Sequence, residues 1–393
     1  MKAKWQTLQL GTVAEVIAGQ SPEGSFYNTT GDGLPFYQGK KEFGEKFIGA
    51  PTTWTSQITK VALEGDVLIS VRAPVGPVNF ATQKSCIGRG LAAIRSNNGL
   101  DGSFLFYFLL SRQDEIVGSE GAVFASINKK DIQGLEIAVP PLPEQQRIVG
   151  ILDGVFDGIA TAKANAERNA ENAHALFESH LQSVFTRRGE EWIDTTLEKV
   201  LAVQPQNGWS PPAANHSDSG TPVLTLSSVT GFRFRPDKLK FTSAPTDSRR
   251  NYWVKNGDFL ITRSNTPELV GHVAIASGIN DPTIYPDLIM RMNPMPDRMM
   301  TEFLYYQMRS PSLRKEITGR AQGANPTMKK ISNAAVKTLP IAVPSIAIQR
   351  AIVETLNTLS DETNRLANLY ERKRETIEGL KNSLLNQAFR GQL

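Results

Sequence analysis

A chain of 393 residues, 40% hydrophobic and 21% charged, is long enough for two or three cores and too apolar for disorder. One cysteine, Cys86, and four histidines exclude a disulfide framework and a multi-cysteine metal site, and no apolar run approaches a bilayer crossing. The formal charge is +4, placed unevenly: residues 191–344 carry 18 basic and 13 acidic side chains, whereas residues 1–140 carry 13 of each.

In chain order, no basic-then-apolar leader opens the sequence, so a cytoplasmic protein with no membrane partner is expected. Short apolar runs broken by Gly, Pro, Asn and Ser predict strands over 66–72, 78–81 and 91–95, and the run 103–110 predicts a short buried helix. Pro140-Pro141-Leu142-Pro143 reads as a helix start, because proline in a first turn lacks only a donor that would be unpaired anyway. From there Ile148, Leu152, Val155, Ile159, Ala162, Ala166, Ala170, Ala173, Phe177, Leu181 and Val184 step by three and four, one stripe held for about eleven turns. The same plan then starts again. Strands are expected over 223–228, 258–263 and 272–276 and a helix over 301–310. A second long helix opens at Pro344-Ser345, with the stripe Ile352, Leu356, Leu359, Thr363, Leu366, Tyr370, Ile377, Leu380 and Leu384.

The repetition extends to residue identities. Trp5, Leu10 and Val13 recur as Trp192, Leu197 and Val200. Gly65-Asp66-Val67-Leu68-Ile69-Ser70 is matched by Gly257-Asp258-Phe259-Leu260-Ile261-Thr262, and Phe104-Leu105-Phe106-Tyr107 by Phe303-Leu304-Tyr305-Tyr306. Ile137-Ala138-Val139-Pro140 returns unchanged as Ile341-Ala342-Val343-Pro344, followed by Gln145 and Gln349. The offset grows from 187 through 192 and 199 to 204, as insertions in the second copy require. The expected fold is therefore α+β: a head over 1–143, a spacer helix over 144–190, a second head over 191–346 and a C-terminal spacer helix over 347–393. Two equivalent helices in one chain pack most simply antiparallel about a pseudo-twofold axis.

Catalytic signatures are absent. The sequence holds no GxxxxGK[ST] phosphate loop, no GxSxG elbow, no HExxH helix and no CxxC pair, and neither a catalytic residue nor a metal ligand is expected. Basic side chains do cluster in loop-like parts of both heads: Lys40, Lys41, Arg72, Arg89, Lys129 and Lys130, then Arg233, Arg235, Arg249, Arg250, Arg263, Lys329 and Lys330. Lysine and arginine hold phosphates or read guanine edges, and amides such as Gln38, Asn128, Gln322 and Asn325 can read adenine. These residues are candidates for binding double-stranded DNA. The Lys-Lys pairs recur at an offset of 200, and Arg72 and Arg263 both close the Gly-Asp strand with one residue of slip.

The run from Ile137 to Val149, the Gly-Asp-Val-Leu-Ile-Ser strand at 65–70 and the C-terminal run Leu384 to Leu393 together resemble the specificity subunit of bacterial type I restriction-modification enzymes. The resemblance covers nearly the whole chain; the second helix start departs from it, with Ser345, Ala347 and Ile348 in place of Pro141, Pro143 and Glu144. It implies a non-catalytic subunit in which each head, a target recognition domain, reads one half of a split asymmetric DNA site and the helices fix the gap. It implies two methyltransferase (M) subunits docked along the helices, for which Gln145, Ile148, Gln349 and Ile352 are candidates, and restriction (R) subunits in the full complex. S-adenosylmethionine, ATP and magnesium are then expected in those partners and no cofactor in this chain. A non-catalytic scaffold with protein-binding heads is the alternative, favoured by the neutral first head.

Overall fold

The computed structural model of the chain describes residues 5–97, 99–113, 115–116, 126–323, 325 and 327–393. The chain divides into two compact units, one formed by Met1–Glu167 with Glu371–Leu393 and the other by Arg168–Tyr370. Each unit joins one head to a segment of each long helix.

In the first head, strands Ala14–Ala18, Leu91–Ser96, Val67–Ser70 and Val78–Phe80 form an antiparallel sheet in that order. Every residue of Val67–Ser70 is buried, which explains why the sequence shows a continuous apolar run there instead of polar alternation. Alternate side chains serve two cores. Val67 and Ile69 pack with Phe104 and Phe106, while Leu68 packs with Tyr37 and Ile87. The second core lies under a five-stranded sheet ordered Tyr27–Asn28, Trp54–Thr55, Leu34–Tyr37, Ser85–Ile87 and Val61–Ala62, parallel only between its third and fourth strands.

The second head repeats this plan with Leu201–Asn207, Ile289–Pro294, Phe259–Thr262 and Val273–Ile275. Its five-stranded sheet runs His216–Ser217, Leu239–Thr242, Thr221–Leu224, Thr283–Ile284 and Trp253–Val254, with the parallel pair again third and fourth. Phe259 and Ile261 serve one core and Leu260 the other. The strand expected over 223–228 is shorter. After Thr221–Leu224 the chain turns into the 3-10 helix Leu226–Ser228, because Thr225 and Ser228 cap each other's backbone.

The short helices occur as Gly102–Ser111 and Thr301–Arg309. Asp101 accepts hydrogen bonds from the Ser103 and Phe104 amides and caps the first. A helix over Pro311–Arg320 follows the second. It was not expected, although Pro311 at its first turn is a start signal.

The long helices cover Leu142–Thr186 and Ile346–Phe389. In the first unit Ile148 and Leu152 share a core with Leu385 and Ala388; in the second, Phe177, Leu181 and Phe185 share one with Val353 and Leu356. Start against end in both units is antiparallel packing. Leu380 corrects the expected stripe, since it is 49% exposed. The buried line runs instead from Ile377 past the Lys381 stem, whose Nζ lies 5.5 Å from the Phe156 ring centre, to Leu385 and Ala388. At the end of the first stripe Phe185 is buried and Val184 only half-buried.

Each head is tied to its helices by the same joint. Gln6–Gln9 pairs with Glu136–Val139, and Ile193–Thr196 with Pro340–Val343. The buried Gln145 amide accepts from the Asp101 N–H at 2.7 Å and donates to the Gly99 and Pro140 carbonyls. Gln349 accepts from the Met300 N–H at 2.8 Å and donates to the Arg298 and Pro344 carbonyls. A second polar tie follows one helical stretch later. Tyr107 donates to Asp153, which also pairs with Lys46 at 2.6 Å, and Tyr306 donates to Asn357 at 2.6 Å. Gln145, Ile148 and Gln349 are 0–1% exposed, which corrects their expected role: they hold head to helix and present no side-chain surface to a docking partner. Ile352 is half-buried against the core of the second unit.

Candidate nucleic-acid interface

The clefts that gather the candidate residues are shaped by a glycine in each head. The Gly19 N–H donates to the Leu91 carbonyl and the Gln20 N–H to the Ile87 carbonyl, clamping the chain beside the turn from Gly88 to Leu91. A Cβ at Gly19 would stand 2.2 Å from the Gly88 carbonyl oxygen, so only glycine fits. In the second head the Gly208 N–H donates to Ile289 and the Trp209 N–H to Tyr285, and a Cβ at Gly208 would stand 1.9 Å from the Tyr285 oxygen. The turn tip in the first head is Arg89, whose N–H donates to the Ser21 Oγ at 3.2 Å. In the second head it is Asp287, whose N–H donates to the Ser210 Oγ at 3.3 Å.

Around Arg89 the first head gathers its candidates. Arg72, Arg89, Asn128 and Lys129 line one cleft of about 660 Å³, floored by Val71, Leu91, Ile127 and Ile132. The main chain fixes this convergence: Arg72 forms an antiparallel bridge with Ser126, and the Ile127 N–H donates to the Val71 carbonyl at 3.1 Å. A neighbouring cleft of about 560 Å³ is lined by Gln38, Lys41, Glu42, Tyr27 and again Arg89. Lys40 sits beside it in the exposed turn Lys40–Glu42. Lys130 is exposed on the helix Lys129–Gln133, where the Asn128 side chain accepts from the Lys130 and Asp131 amides. That capping duty occupies the Asn128 carbonyl oxygen and leaves its amide NH₂ for the cleft.

In the second head a cleft of about 570 Å³ occupies the place of the Gln38 cleft, and its lining differs. Leu224, Leu226 and Phe241 meet Thr225, Ser227, His216 and Lys240. None of the basic candidates named for this head lines it. Arg233 is exposed, and Arg235 donates to the Ser227 carbonyl at 3.3 Å. Arg249 and Arg250 both approach Asp247, at 3.1 and 3.8 Å, and the Arg249 hydrogen bonds hold that carboxyl below the usual range. Asn325 accepts from the Thr327 N–H and hydroxyl, as a turn former does.

One expected correspondence between copies requires correction. Lys329 and Lys330 lie on a strand paired with Ser264–Asn265, and the Lys329 ammonium donates to the Gly323 carbonyl. The helix matching Lys129–Gln133 is Asn333–Lys337, capped by Ser332, so the Lys-Lys pairs are not counterparts. The Ile331 N–H bonds to the Arg263 carbonyl as Ile127 bonds to Val71, which puts Arg263 in the place of Val71 and Ser264 in that of Arg72, the one-residue slip visible in the sequence. The half-buried Arg263 reaches the Asp287 carbonyl at 3.4 Å.

Sequence reasoning named Arg89 but missed Asp287 as its counterpart, and it missed Lys240 and Thr225. The signal was the paired Gly19 and Gly208, set 189 apart, which aligns the loops on either side of the clefts.

Chemically these clefts present guanidinium and ammonium donors, amides and hydroxyls over apolar floors, the side-chain set that reads base edges and phosphates. Among the described residues no group of three or more His, Cys, Asp or Glu is placed to hold a metal ion, and no helix is long and apolar enough to cross a membrane.

The family model for the type I restriction modification DNA specificity domain matches residues 2–169 and again 189–377. The chain belongs to this family of specificity subunits. The two matches coincide with the two copies of the repeat, as the duplicated joints and clefts require. Among curated relatives, the putative type I restriction enzyme MjaX specificity subunit of Methanocaldococcus jannaschii is 48% identical over 149 residues, covering 37% of this chain and 35% of its own length. The MjaVIII specificity subunit of the same organism is 20% identical over 99% of this chain and 93% of its own. The EcoKI specificity subunit of Escherichia coli is 25% identical over 54% of this chain and 44% of its own. This chain therefore spans about a third of the MjaX subunit and nearly all of the MjaVIII subunit. A chain solved in work on complex assembly and conformational transition of the type I R-M system shares the fold at a TM-score of 0.79, with 19% identity over 99% of this chain and 98% of that one. The HsdS subunit from Thermoanaerobacter tengcongensis does so at 0.60, again with 19% identity, over 99% and 97%.

Proposed function

We propose that this chain is the DNA-recognition subunit of a cytoplasmic type I restriction-modification complex, in which each head reads one half of a bipartite, asymmetric site. The observation that carries the reading is the duplication with divergence. Both heads keep the same strand order, the same glutamine joint and the same glycine-clamped turn, yet Gln38, Lys41 and Arg89 line the first clefts where Thr225, Leu226 and Lys240 line their counterpart. One scaffold carrying two linings suits a molecule that reads two different half-sites with one docking geometry.

The long helices set the gap between the half-sites and dock two methyltransferase subunits. Those subunits supply S-adenosylmethionine chemistry at a flipped adenine; restriction subunits bring ATP and magnesium when cleavage is required. Docking falls to exposed helix residues, since the glutamine joints are buried. This chain directs the chemistry and its partners perform it.

The decisive experiment exchanges residues 1–140 for the corresponding head of a relative, assembles the chain with its methyltransferase and maps methylated adenines. The first half of the recognised sequence should change and the second half stay. An unchanged first half overturns the assignment of the head. Inserting two helical turns between Leu152 and Leu176 should lengthen the gap, and an unaltered gap would remove the spacer role.

A further inference from the structure

The turn that carries Arg89 in the first head carries Asp287 in the second, and the equivalence is geometric. In both turns the tip residue's N–H donates to a serine hydroxyl, Ser21 or Ser210. In both, the amide two residues on closes the turn on the residue before the tip: Leu91 to Gly88 and Ile289 to Pro286, each at 3.0 Å. In both, the carbonyl just after the tip accepts from the residue following the buried Gly-Asp strand: Gly90 from Val71 and Leu288 from Arg263. Three matched bonds leave no register freedom, so one position holds opposite charges in the two heads.

Neither side chain is used up by the fold. Arg89 is exposed, lines both clefts of its head and has no side-chain partner among the described residues. Asp287 spends one oxygen, Oδ1, on the Ser210 hydroxyl, and its Oδ2 has no protein partner among the described residues. On a surface meant for DNA a carboxylate is repelled by phosphates, so it has a place there only if it meets hydrogen-bond donors. Bases supply such donors in the major groove: the exocyclic amino groups of cytosine and adenine. Guanine shows the reverse pattern, two acceptors that suit a guanidinium.

We infer that positions 89 and 287 are a matched pair of base-selecting residues, Arg89 donating to a guanine in the half-site of the first head and Asp287 accepting from the amino group of a cytosine or adenine in the half-site of the second. The inference rests on the DNA-reading function proposed above and assigns one specificity position in each head.

The test selects from a randomised double-stranded DNA library with the full-length chain assembled with its methyltransferase, comparing the unaltered protein with Arg89→Ala and Asp287→Asn. Arg89→Ala should lose roughly five- to hundredfold discrimination at a single base pair of one half-site and leave the other half-site intact. Asp287→Asn, which keeps the shape and a bond to Ser210, should relax a single position in the opposite half-site. A uniform loss of affinity across all sequences, with the salt slope reduced by about 1, would make Arg89 a phosphate contact and overturn the assignment. Unaltered selection by Asp287→Asn would reduce Asp287 to a partner of Ser210. If the unaltered protein itself selects no sequence, the proposed function fails, a result distinct from either of these.

Discussion

Gln349 makes the same three hydrogen bonds as Gln145, one accepted from the amide at the start of the buried head helix, one donated to a carbonyl just before that helix and one donated to the proline carbonyl just before the long helix. Both amides are fully buried. Gln145→Ala or Gln349→Ala would strand one N–H and two carbonyls and leave a void, at an expected loss of about 2–4 kcal/mol. Urea unfolding measures the loss, and the Asp101 or Met300 amide should lose hydrogen-exchange protection. An alanine variant as stable as the parent would show the joint to be incidental.

The second tie differs between copies in a way that predicts pH dependence. Burial raises the Asp153 carboxyl, but the hydrogen bonds from Lys46 and Tyr107 outweigh it and hold the group below its usual range. The stabilisation is present above the unfolded carboxylate range and is lost as pH falls through the depressed folded value. Asp153→Asn, which copies the Asn357 position, should flatten the acid limb of the first unit's stability curve while retaining the bond from Tyr107.

His272 predicts a window of the same sign at higher pH. Burial, with Arg314 and Arg309 nearby, pushes its imidazole down to about 4, and its Nδ1 accepts from the Gly231 N–H while its ring stacks on Phe232 at 4.0 Å. Between about pH 6.5 and 4 the unfolded chain binds a proton that the folded chain refuses, so stability rises with pH across that range. The loss by pH 4 is on the order of 3 kcal/mol. His272→Gln should remove that slope in denaturant titrations at pH 4 to 7. A slope that persists would assign it to other groups.

Gly19→Ala tests the clamp beneath Arg89. A methyl group 2.2 Å from the Gly88 oxygen and 2.7 Å from the Leu91 oxygen cannot be absorbed by a flexible side chain, so the turn must shift, at a cost of about 2–3 kcal/mol or more. Specificity for the first half-site should fall while that for the second is unchanged, read by methylation mapping of both.

Lys129 and Lys130 are exposed near the mouth of the Arg72 cleft. Lys130→Ala should weaken DNA binding almost equally on all sequences and lower the salt slope by about 1, measured by titration from 50 to 200 mM salt.

The sequence by itself determined the duplication, the two long helices and the buried short helices, because each rests on a pattern that local burial imposes: a three-and-four stripe, a continuous apolar strand, a proline at a first turn. It also placed the glutamine pair at one offset, although it took for docking residues what the fold uses as pegs. Tertiary structure decided which candidates meet. Arg72, Arg89 and Asn128 lie far apart in sequence and share a cleft only because the Val71 and Gly19 backbones bond to segments that no local pattern connects. It also decided what corresponds to what. Insertions shift the offset between copies, so an apparent Lys-Lys match fell on a strand in one head and a helix in the other, while the true counterpart of Arg89 was a residue of opposite charge. Local propensity names residues that can bind; non-local pairing alone aligns them on a common surface.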